Sequence, residues 1–245
     1  MKLVKYFIVI LLFCGLTYVN AQVKFSAGPE IGITLPQGDY SGTTTDYYSG
    51  LRYGLNTGIN FGAIFKAKLP VLSIRAAVNY SILSNSGLAD ASNAGSYVEV
   101  KHNVFMISVG PEFYFSIPAS PIKPYGGIDL LITSISGEST FQGLSRVPSG
   151  TYSMSSAGRT GIGLGIGAEV GIGRNMALDV SLRYNLINLF SKSYEGGYDA
   201  NRIDSYLHLN DAKDPRYPDE INKHPIGSDR TISTLQLNLG ILFGF

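Results

Sequence analysis

Residues 160–172 read TGIGLGIGAEVGI, with apolar residues at nearly every even position and glycine or Glu169 at every odd one. Successive side chains of a β-strand point to opposite faces, so this alternation predicts a strand with one apolar face and one face of minimal bulk. The stretch spans 13 residues, whereas strands of soluble proteins average about 5–6. A strand tilted across a bilayer needs about 9–11 residues, and the length therefore favours a membrane-spanning strand.

The same period of two recurs along the whole chain, and no segment shows a convincing helical period of 3.6. The predicted strands are 23–35, 51–65, 70–83, 98–116, 122–135, 160–172, 176–188 and 235–245. The predicted fold class is therefore all-β, an eight-stranded antiparallel up-and-down transmembrane β-barrel.

The connections between these strands alternate in length. The second, fourth and sixth are short, at about 66–70, 117–122 and 173–175. The other four are long, at about 36–50, 84–97, 136–159 and 189–230. Outer-membrane barrels have short periplasmic turns and longer external loops, and an exported N-terminus that starts in the periplasm gives this parity.

The composition excludes several classes of protein. Charged residues make up 15% of the chain, against roughly 25% in an average soluble domain. A content of 29 glycines, 16 tyrosines and 12 phenylalanines is unlike that of a disordered chain. The net charge of +1 argues against a basic nucleic-acid-binding protein, and no nucleic acid is expected as a partner. The mean hydropathy of +0.12 is too low for a bundle of transmembrane helices.

The N-terminus has the layout of a secretory signal peptide. Lys2 and Lys5 precede an apolar run over 6–16, which is followed by Val19-Asn20-Ala21. Since a spanning helix needs about 20 apolar residues, the run is too short for an anchor. We predict cleavage after Ala21, which divides the chain into a signal peptide, 1–21, and a barrel domain, 22–245. Cleavage also removes Cys14, the only cysteine, so disulfides and cysteine-based metal sites are excluded.

The two faces of the strands predict which side meets lipid. Glycine on a water-facing strand is costly and packs nothing, whereas inside a narrow barrel it leaves room for larger polar neighbours. We therefore assign the apolar face to lipid and the small polar face to the lumen. A buried network of both charge signs is expected there. Its predicted members are Arg52, Arg75, Glu112, Asp129, Glu169, Asp179 and Arg183.

The last external loop concentrates charge and tyrosine. Residues 191–230 hold 8 acidic and 6 basic residues. This composition fits a solvated, flexible loop. It also fits a binding surface for an extracellular or envelope partner, or for lipopolysaccharide at its base. The candidate contact residues are Tyr194, Tyr198, Tyr206 and Tyr217. The acidic residues Asp211, Asp214, Asp219 and Glu220 do not match the spacing of an EF-hand loop, and Pro215 and Pro218 interrupt them.

Sites of chemistry are scarce in this sequence. Residues 163–168 fit GxGxxA, but the nucleotide-binding motif needs a following helix, which the period of two excludes. His102 and Ser108 are candidate residues for a lipid-modifying site. The alternation of lipid-facing residues along their strand does not bring them together. The three histidines have no metal-binding spacing, so no metal, cofactor or catalytic residue is predicted.

Two adjoining segments resemble a known family. They are Val104 to Phe115, VFMISVGPEFYF, and the stretch Lys123-Pro124-Tyr125-Gly126-Gly127 that follows a proline-containing turn. The pattern is similar to small outer-membrane β-barrel proteins, the group that includes PorT-like proteins and the OmpX and OmpA barrels. The resemblance implies an outer-membrane barrel over essentially the whole mature chain. The final strand, with Phe243 and Phe245, resembles the signal read by the barrel assembly machinery.

Together these patterns predict an integral protein of the cell outer membrane. We expect it to be non-enzymatic, either structural or interacting through its external loops. The expected partners are outer-membrane lipid, lipopolysaccharide, the assembly machinery, and an envelope or extracellular protein. Three alternatives stay open at this point, namely a PorT-like component of a protein export apparatus, a narrow pore, and a lipid-modifying enzyme.

Overall fold

In a computed structural model, eight antiparallel strands close into a barrel, each paired with its neighbours in chain order and the first with the last. The strands are β1 Lys24–Gln37, β2 Gly58–Lys68, β3 Leu72–Gly87, β4 Tyr97–Tyr114, β5 Ile122–Gln142, β6 Gly150–Gly171, β7 Met176–Leu186 and β8 Ser233–Gly244. The predicted fold class is confirmed. The structure describes residues 23–69, 72–115, 117–118, 120–196, 202–218 and 226–244. The predicted signal peptide and Tyr198, Asp219, Glu220 and Phe245 lie outside the described residues.

The outer surface of the barrel is an apolar belt. Register aligns Ile31, Phe61, Tyr80 and Phe105 across β1 to β4. The exposed fractions of Ile31, Phe61 and Phe105 are 63%, 50% and 41%. An exposed apolar surface of this extent is stable in contact with lipid rather than water. Closure of the barrel also leaves no unpaired sheet edge within the belt, as a bilayer requires.

One wall of the barrel rises above this belt. The prediction of a long loop over 136–159 is wrong, because β5 and β6 continue as a hairpin in which Phe141 pairs with Gly150. A β-bulge between Ile135 and Gly137 interrupts their register. Beyond Ile132, the outward positions of β5 carry Ser134, Ser136, Glu138 and Thr140 instead of apolar residues. This polar surface places the extension of β4, β5 and β6 outside the bilayer.

The segment before β2 is not a strand. The predicted strand 51–65 begins only at Gly58 as β2, and residues upstream of it form helix α1, Thr44–Ser49. Thr43 and Asp46 cap α1 reciprocally, and Gly50 ends it with φ 77°. A second short helix, α2, spans Asp204–Leu207. The expectation of no helix is therefore wrong. The two helices have 6 and 4 residues and are too short to show a period of 3.6 in the sequence. Among the described residues, no helix has the length and apolarity to cross a membrane.

The buried apolar residues gather at the outer end of the barrel. We call residues 38–57 and the described parts of 187–232 the cap. Aromatic residues of the cap, Tyr40, Tyr47 and Tyr206, pack there with Phe141 of the β5 extension. The two halves of the cap are joined by hydrogen bonds from side chains to backbone carbonyls, including Tyr53 Oη donating to the Asn210 carbonyl over 3.0 Å. The barrel therefore has a polar lumen within the belt and an apolar core above it.

Candidate functional site

Six of the predicted lumen residues converge inside the barrel. Each lies on the inward face of its strand and is less than 7% exposed. They are Arg75 on β3, Glu112 on β4, Asp129 on β5, Glu169 on β6, and Asp179 and Arg183 on β7. The chain folds this way locally because the apolar residues at alternate positions face lipid and leave these side chains no other direction.

Two arginines share two carboxylates across the lumen. The two Nη atoms of Arg183 donate to Glu112 Oε1 and Asp129 Oδ2. Arg75 approaches the same two acids, with Nη1 at 3.5 Å from Asp129 Oδ2 and Nε at 3.7 Å from Glu112 Oε1. Arg75 Nη1 also donates to Ser108 Oγ over 2.8 Å. These contacts connect β3, β4, β5 and β7 through the centre of the barrel.

The centre of the network is a residue that sequence reasoning missed. Lys66 is 0% exposed, and its Nζ lies 2.9 Å from Glu112, 3.0 Å from Glu169 and 2.7 Å from Asp179. The same ammonium lies 4.1 Å from the centroid of the Tyr125 ring, a cation–π distance. The predicted strand ends at residue 65, which leaves Lys66 in a turn. Extending the alternation by one residue would have placed it in the lumen.

Two further charges complete the set. Glu30 on β1 lies 3.7 Å from Arg75 Nη2, and Lys68 Nζ lies 2.5 Å from Glu169 Oε2. The described network thus has four cations and five carboxylates, with each member within 4 Å of an opposite charge. Buried charges are tolerated only when paired in this way. The network crosses the lumen and bonds strands that are not neighbours in the sheet.

The glycine row of β6 provides the space for this network. A Cβ at Gly165 would lie 2.7 Å from Arg183 Nη1, and a Cβ at Gly167 would lie 2.5 Å from the Tyr125 hydroxyl. Tyr125 Oη in turn donates to Asp179 Oδ1 over 2.8 Å. The small face of the stretch at 160–172 is therefore the complement of the bulky charged residues opposite.

Gly167→Val is expected to destabilise the barrel by about 1–3 kcal/mol, the usual range for overpacking. The added side chain would clash with Tyr125 and with the Val180 carbonyl, which a Cβ would approach to 2.6 Å. Gly171→Val is the matched control, because nothing lies within 4 Å of its Cβ position. Urea unfolding in detergent micelles, followed by the gel shift between unheated and boiled samples, measures both. Equal midpoints for the two variants would contradict the role of Gly167.

Arg52 does not belong to the network. The sequence pattern predicts it on the inward face of a strand, but it precedes β2 and its side chain is exposed in the cap. The physical reason is that backbone hydrogen bonds hold this segment in the cap, since the Arg52 N–H donates to the Asp46 carbonyl and the Tyr53 N–H donates to the Asp39 carbonyl.

The cap is held by a buried ion pair. Arg159 on β6 donates from Nε to Asp211 Oδ2 over 2.7 Å and from Nη2 to Asp211 Oδ1 over 2.8 Å. Asp211 is 0% exposed and also accepts from Asn188 Nδ2 and the Ser193 N–H, each over 2.8 Å. A bidentate, fully hydrogen-bonded pair of this kind fixes the last loop to the barrel wall. The prediction of a solvated, flexible loop is therefore wrong for this part of the chain.

The tyrosines of the last loop have different positions. Tyr206 is 5% exposed, and its ring centroid lies 4.9 Å from that of Phe141. It is a core residue of the cap, and its prediction as an external contact residue is wrong. Tyr194 donates to Asp214 over 3.1 Å, and Tyr217 is half-buried at the outer surface. Desolvation by burial raises the pKa of Tyr47 to about 12 and also raises the pKa of Tyr206, so both phenols stay neutral in the cap.

The acids of the last loop do not form a metal site in the described parts of the chain. Asp211 and Asp214 are both fully buried, and Asp211 is bound by Arg159. The described residues contain no group of three or more histidine, cysteine or acidic residues that could hold a metal ion.

His102 and Ser108 do not form a dyad. His102 lies under the cap, with Nδ1 3.2 Å from Tyr40 Oη, whereas Ser108 is bound to Arg75 in the charged lumen. Six residues along one strand separate them by about 20 Å.

A closed eight-stranded barrel with a lipid-facing apolar belt and a charged lumen defines an integral outer-membrane β-barrel protein. A family model described as "Outer membrane protein beta-barrel domain" matches residues 7–208. The chain belongs to this family, and it resides in the outer membrane. No curated protein matches the sequence.

Several solved structures are similar to the chain. Neisserial surface protein A shares 15% identity, with 90% of this chain and 97% of that chain covered and a TM-score of 0.49. OprG from Pseudomonas aeruginosa shares 11% identity, with 92% and 97% covered and a TM-score of 0.48. A major outer membrane protein from Thermus thermophilus shares 14% identity, with 91% and 100% covered and a TM-score of 0.48.

Proposed function

We propose that the protein is a non-conducting, non-enzymatic outer-membrane barrel that acts through its external surface. The observation that carries this proposal is the Lys66-centred network, which crosses the lumen beneath a cap with its own apolar core. Lys66 and Glu112 are both 0% exposed, so water does not reach the centre of the network. A hydrated channel would need such charges to line a water-filled path rather than to bind one another.

The cap supplies the surface for interaction. A cleft of about 800 Å³ lies between α1, the loop at 89–91 and the last loop, and Tyr48, Leu51, Arg146, Arg202 and Tyr217 are among its lining residues. Tyrosine and arginine are enriched at protein interfaces, and they dominate binding energy there. Leu51, which is 66% exposed, adds an apolar contact to this cleft. An extracellular or envelope protein is therefore the partner class that we propose for the cap.

Reconstituted wild-type protein is expected to show no steady conductance in planar bilayers. The lumen charges are paired with one another, and the cap closes the outer end. Single-channel recording measures the conductance directly. A porin of about 16 to 18 strands, which has an open aqueous channel, is the positive control in the same lipids. In liposomes that contain lipid A and phospholipids, the lipid masses are expected to stay unchanged after incubation with the protein.

Two outcomes would overturn the proposal. Steady, reproducible unitary currents from the wild-type protein would make it a narrow pore. A time-dependent change of lipid mass that requires folded protein would make it a lipid-modifying enzyme. A boiled sample of the same preparation is the control for both measurements.

A further inference from the structure

At the end of the barrel opposite the cap, the short turns surround a strongly basic cleft. Its volume is about 340 Å³, and its charged lining residues are Lys24, Lys68, Lys123, Arg174 and Glu169. These side chains sum to four positive charges and one negative charge. Glu169 is already bound by Lys66 and Lys68, so the cleft has a clear excess of positive charge.

Two of the lysines face each other across neighbouring strands. Lys24 on β1 is in direct register with Lys68 on β2. Like charges directly opposite in an antiparallel pair are destabilising. Lys24, Lys123 and Arg174 are exposed, and none of them lies within ion-pair distance of a carboxylate in the described parts of the chain. An anion bound between these cations would relieve the repulsion.

The same cleft reaches the lipid-facing belt. Its lining includes Phe25, which is 38% exposed, and Met176, which is 40% exposed. Phe25 stacks on Phe65 of the outer face, with ring centroids 5.9 Å apart. The cleft therefore joins a basic rim to an apolar wall at one edge of the bilayer. A molecule that matches both parts has a negatively charged head and an apolar chain.

We propose that this cleft binds the phosphate headgroup of an anionic phospholipid from the periplasmic leaflet. Lys24, Lys123 and Arg174 contact the phosphate, and Phe25 and Met176 contact the first part of an acyl chain. Short turns lie on the periplasmic side of outer-membrane barrels, which places the cleft at the headgroups of that leaflet. Basic side chains beside anionic headgroups are attracted to them electrostatically. The proposal concerns the opposite end of the barrel from the cap and is independent of the cap's role.

Native mass spectrometry of protein extracted from mixed nanodiscs tests the site. The wild-type protein and the triple variant K24Q/K123Q/R174Q are placed in phosphatidylcholine that contains a minority of phosphatidylglycerol. The wild-type protein is expected to retain phosphatidylglycerol several-fold above its share of the bilayer. The triple variant is expected to retain it only in proportion to that share. The control K101Q/K192Q/K213Q removes the same charge on the external side and is expected to retain it like wild type. Lys68 is left intact because it pairs with Glu169.

The outcomes separate lipid from other occupants. The proposal would be overturned if the wild-type protein retained phosphatidylglycerol only in proportion to its share of the bilayer. It would also be overturned if both triple variants lost the retained phosphatidylglycerol equally. Tight binding of a soluble polyglutamate peptide to the detergent-solubilised protein, without selective lipid retention, would identify an acidic protein segment instead. Glycerol 3-phosphate is expected to compete weakly, because it lacks the chain that contacts Phe25 and Met176. Unheated gels show whether each variant is folded. If the triple variant K24Q/K123Q/R174Q does not fold, the single variants K24Q and R174Q are measured in its place.

Discussion

Lys66→Met is expected to lower the free energy of unfolding by about 3–5 kcal/mol, the usual effect of breaking a buried ion pair. The substitution preserves much of the side-chain volume and removes only the ammonium. Glu112 keeps Arg183 and Arg75, and Glu169 keeps Lys68. Asp179 loses the single cation that the described residues place within ion-pair distance, and it keeps only the Tyr125 hydroxyl.

The double variant Lys66→Met/Asp179→Asn is therefore expected to recover much of this loss. It neutralises the carboxylate that the single variant leaves unpaired. Urea unfolding followed by the heat-dependent gel shift and by circular dichroism measures both variants, since the chain has no tryptophan for fluorescence. The same stability for Lys66→Met and wild type would show that the network does not depend on its central cation.

Lys101→Met is the matched control for this prediction. Lys101 lies 3.5 Å from Glu138, but both side chains are largely exposed, at 39% and 50%. Exposed pairs of this kind contribute about 0–1 kcal/mol, so the control is expected to stay close to wild type. An equal loss in both variants would attribute the effect to the removed charge in general rather than to burial.

Arg159→Met is expected to open the cap while the barrel stays folded. Asp211 would remain buried with only Asn188 and the Ser193 N–H as partners. A cost of about 3–5 kcal/mol for the unpaired carboxylate corresponds to a roughly 150- to 5,000-fold larger opening constant for the cap. Limited trypsin digestion, with cleavage after Lys213 and Arg216 detected by mass spectrometry, measures this opening.

Two comparisons make the cap prediction specific. Arg52→Met removes the same charge from an exposed cap position and is expected to leave the cleavage rate unchanged. The heat-dependent gel shift of Arg159→Met is expected to match wild type, because no strand pair of the belt contains the Arg159–Asp211 contact. Equal digestion of both variants, or loss of the gel shift in Arg159→Met, would contradict an independently opening cap.

The belt could be predicted from the sequence because lipid imposes one rule on every strand that crosses it. Each outward position must be apolar, so the period of two appears in the residues themselves, as in 160–172. The same rule predicts which charges point inward. Lys66 is missed because the predicted strand stops at 65, whereas β2 continues to Lys68.

The cap could not be predicted in the same way, because it does not face lipid. Its elements are short and are fixed by contacts between residues far apart in the chain, such as Arg159 with Asp211. Tyr206 is buried by Phe141 and Tyr47, and a local pattern of tyrosines and charges does not distinguish that position from an exposed one. The β5–β6 extension resembles a loop in the sequence because its outward face is polar and its register changes at the bulge.

That extension places a labelling position at a defined height above the belt. The ten residues from 133 to 142 continue β5 beyond the belt, and at about 3.3 Å per residue and a tilt near 40° they raise the hairpin tip by roughly 25 Å. The tip at 143–149 therefore stands clear of the membrane surface, where a reagent added to whole cells can meet it. Since position 14 holds the chain's only cysteine, a single cysteine introduced at Ser145 would accept a maleimide dye without competing thiols in the barrel.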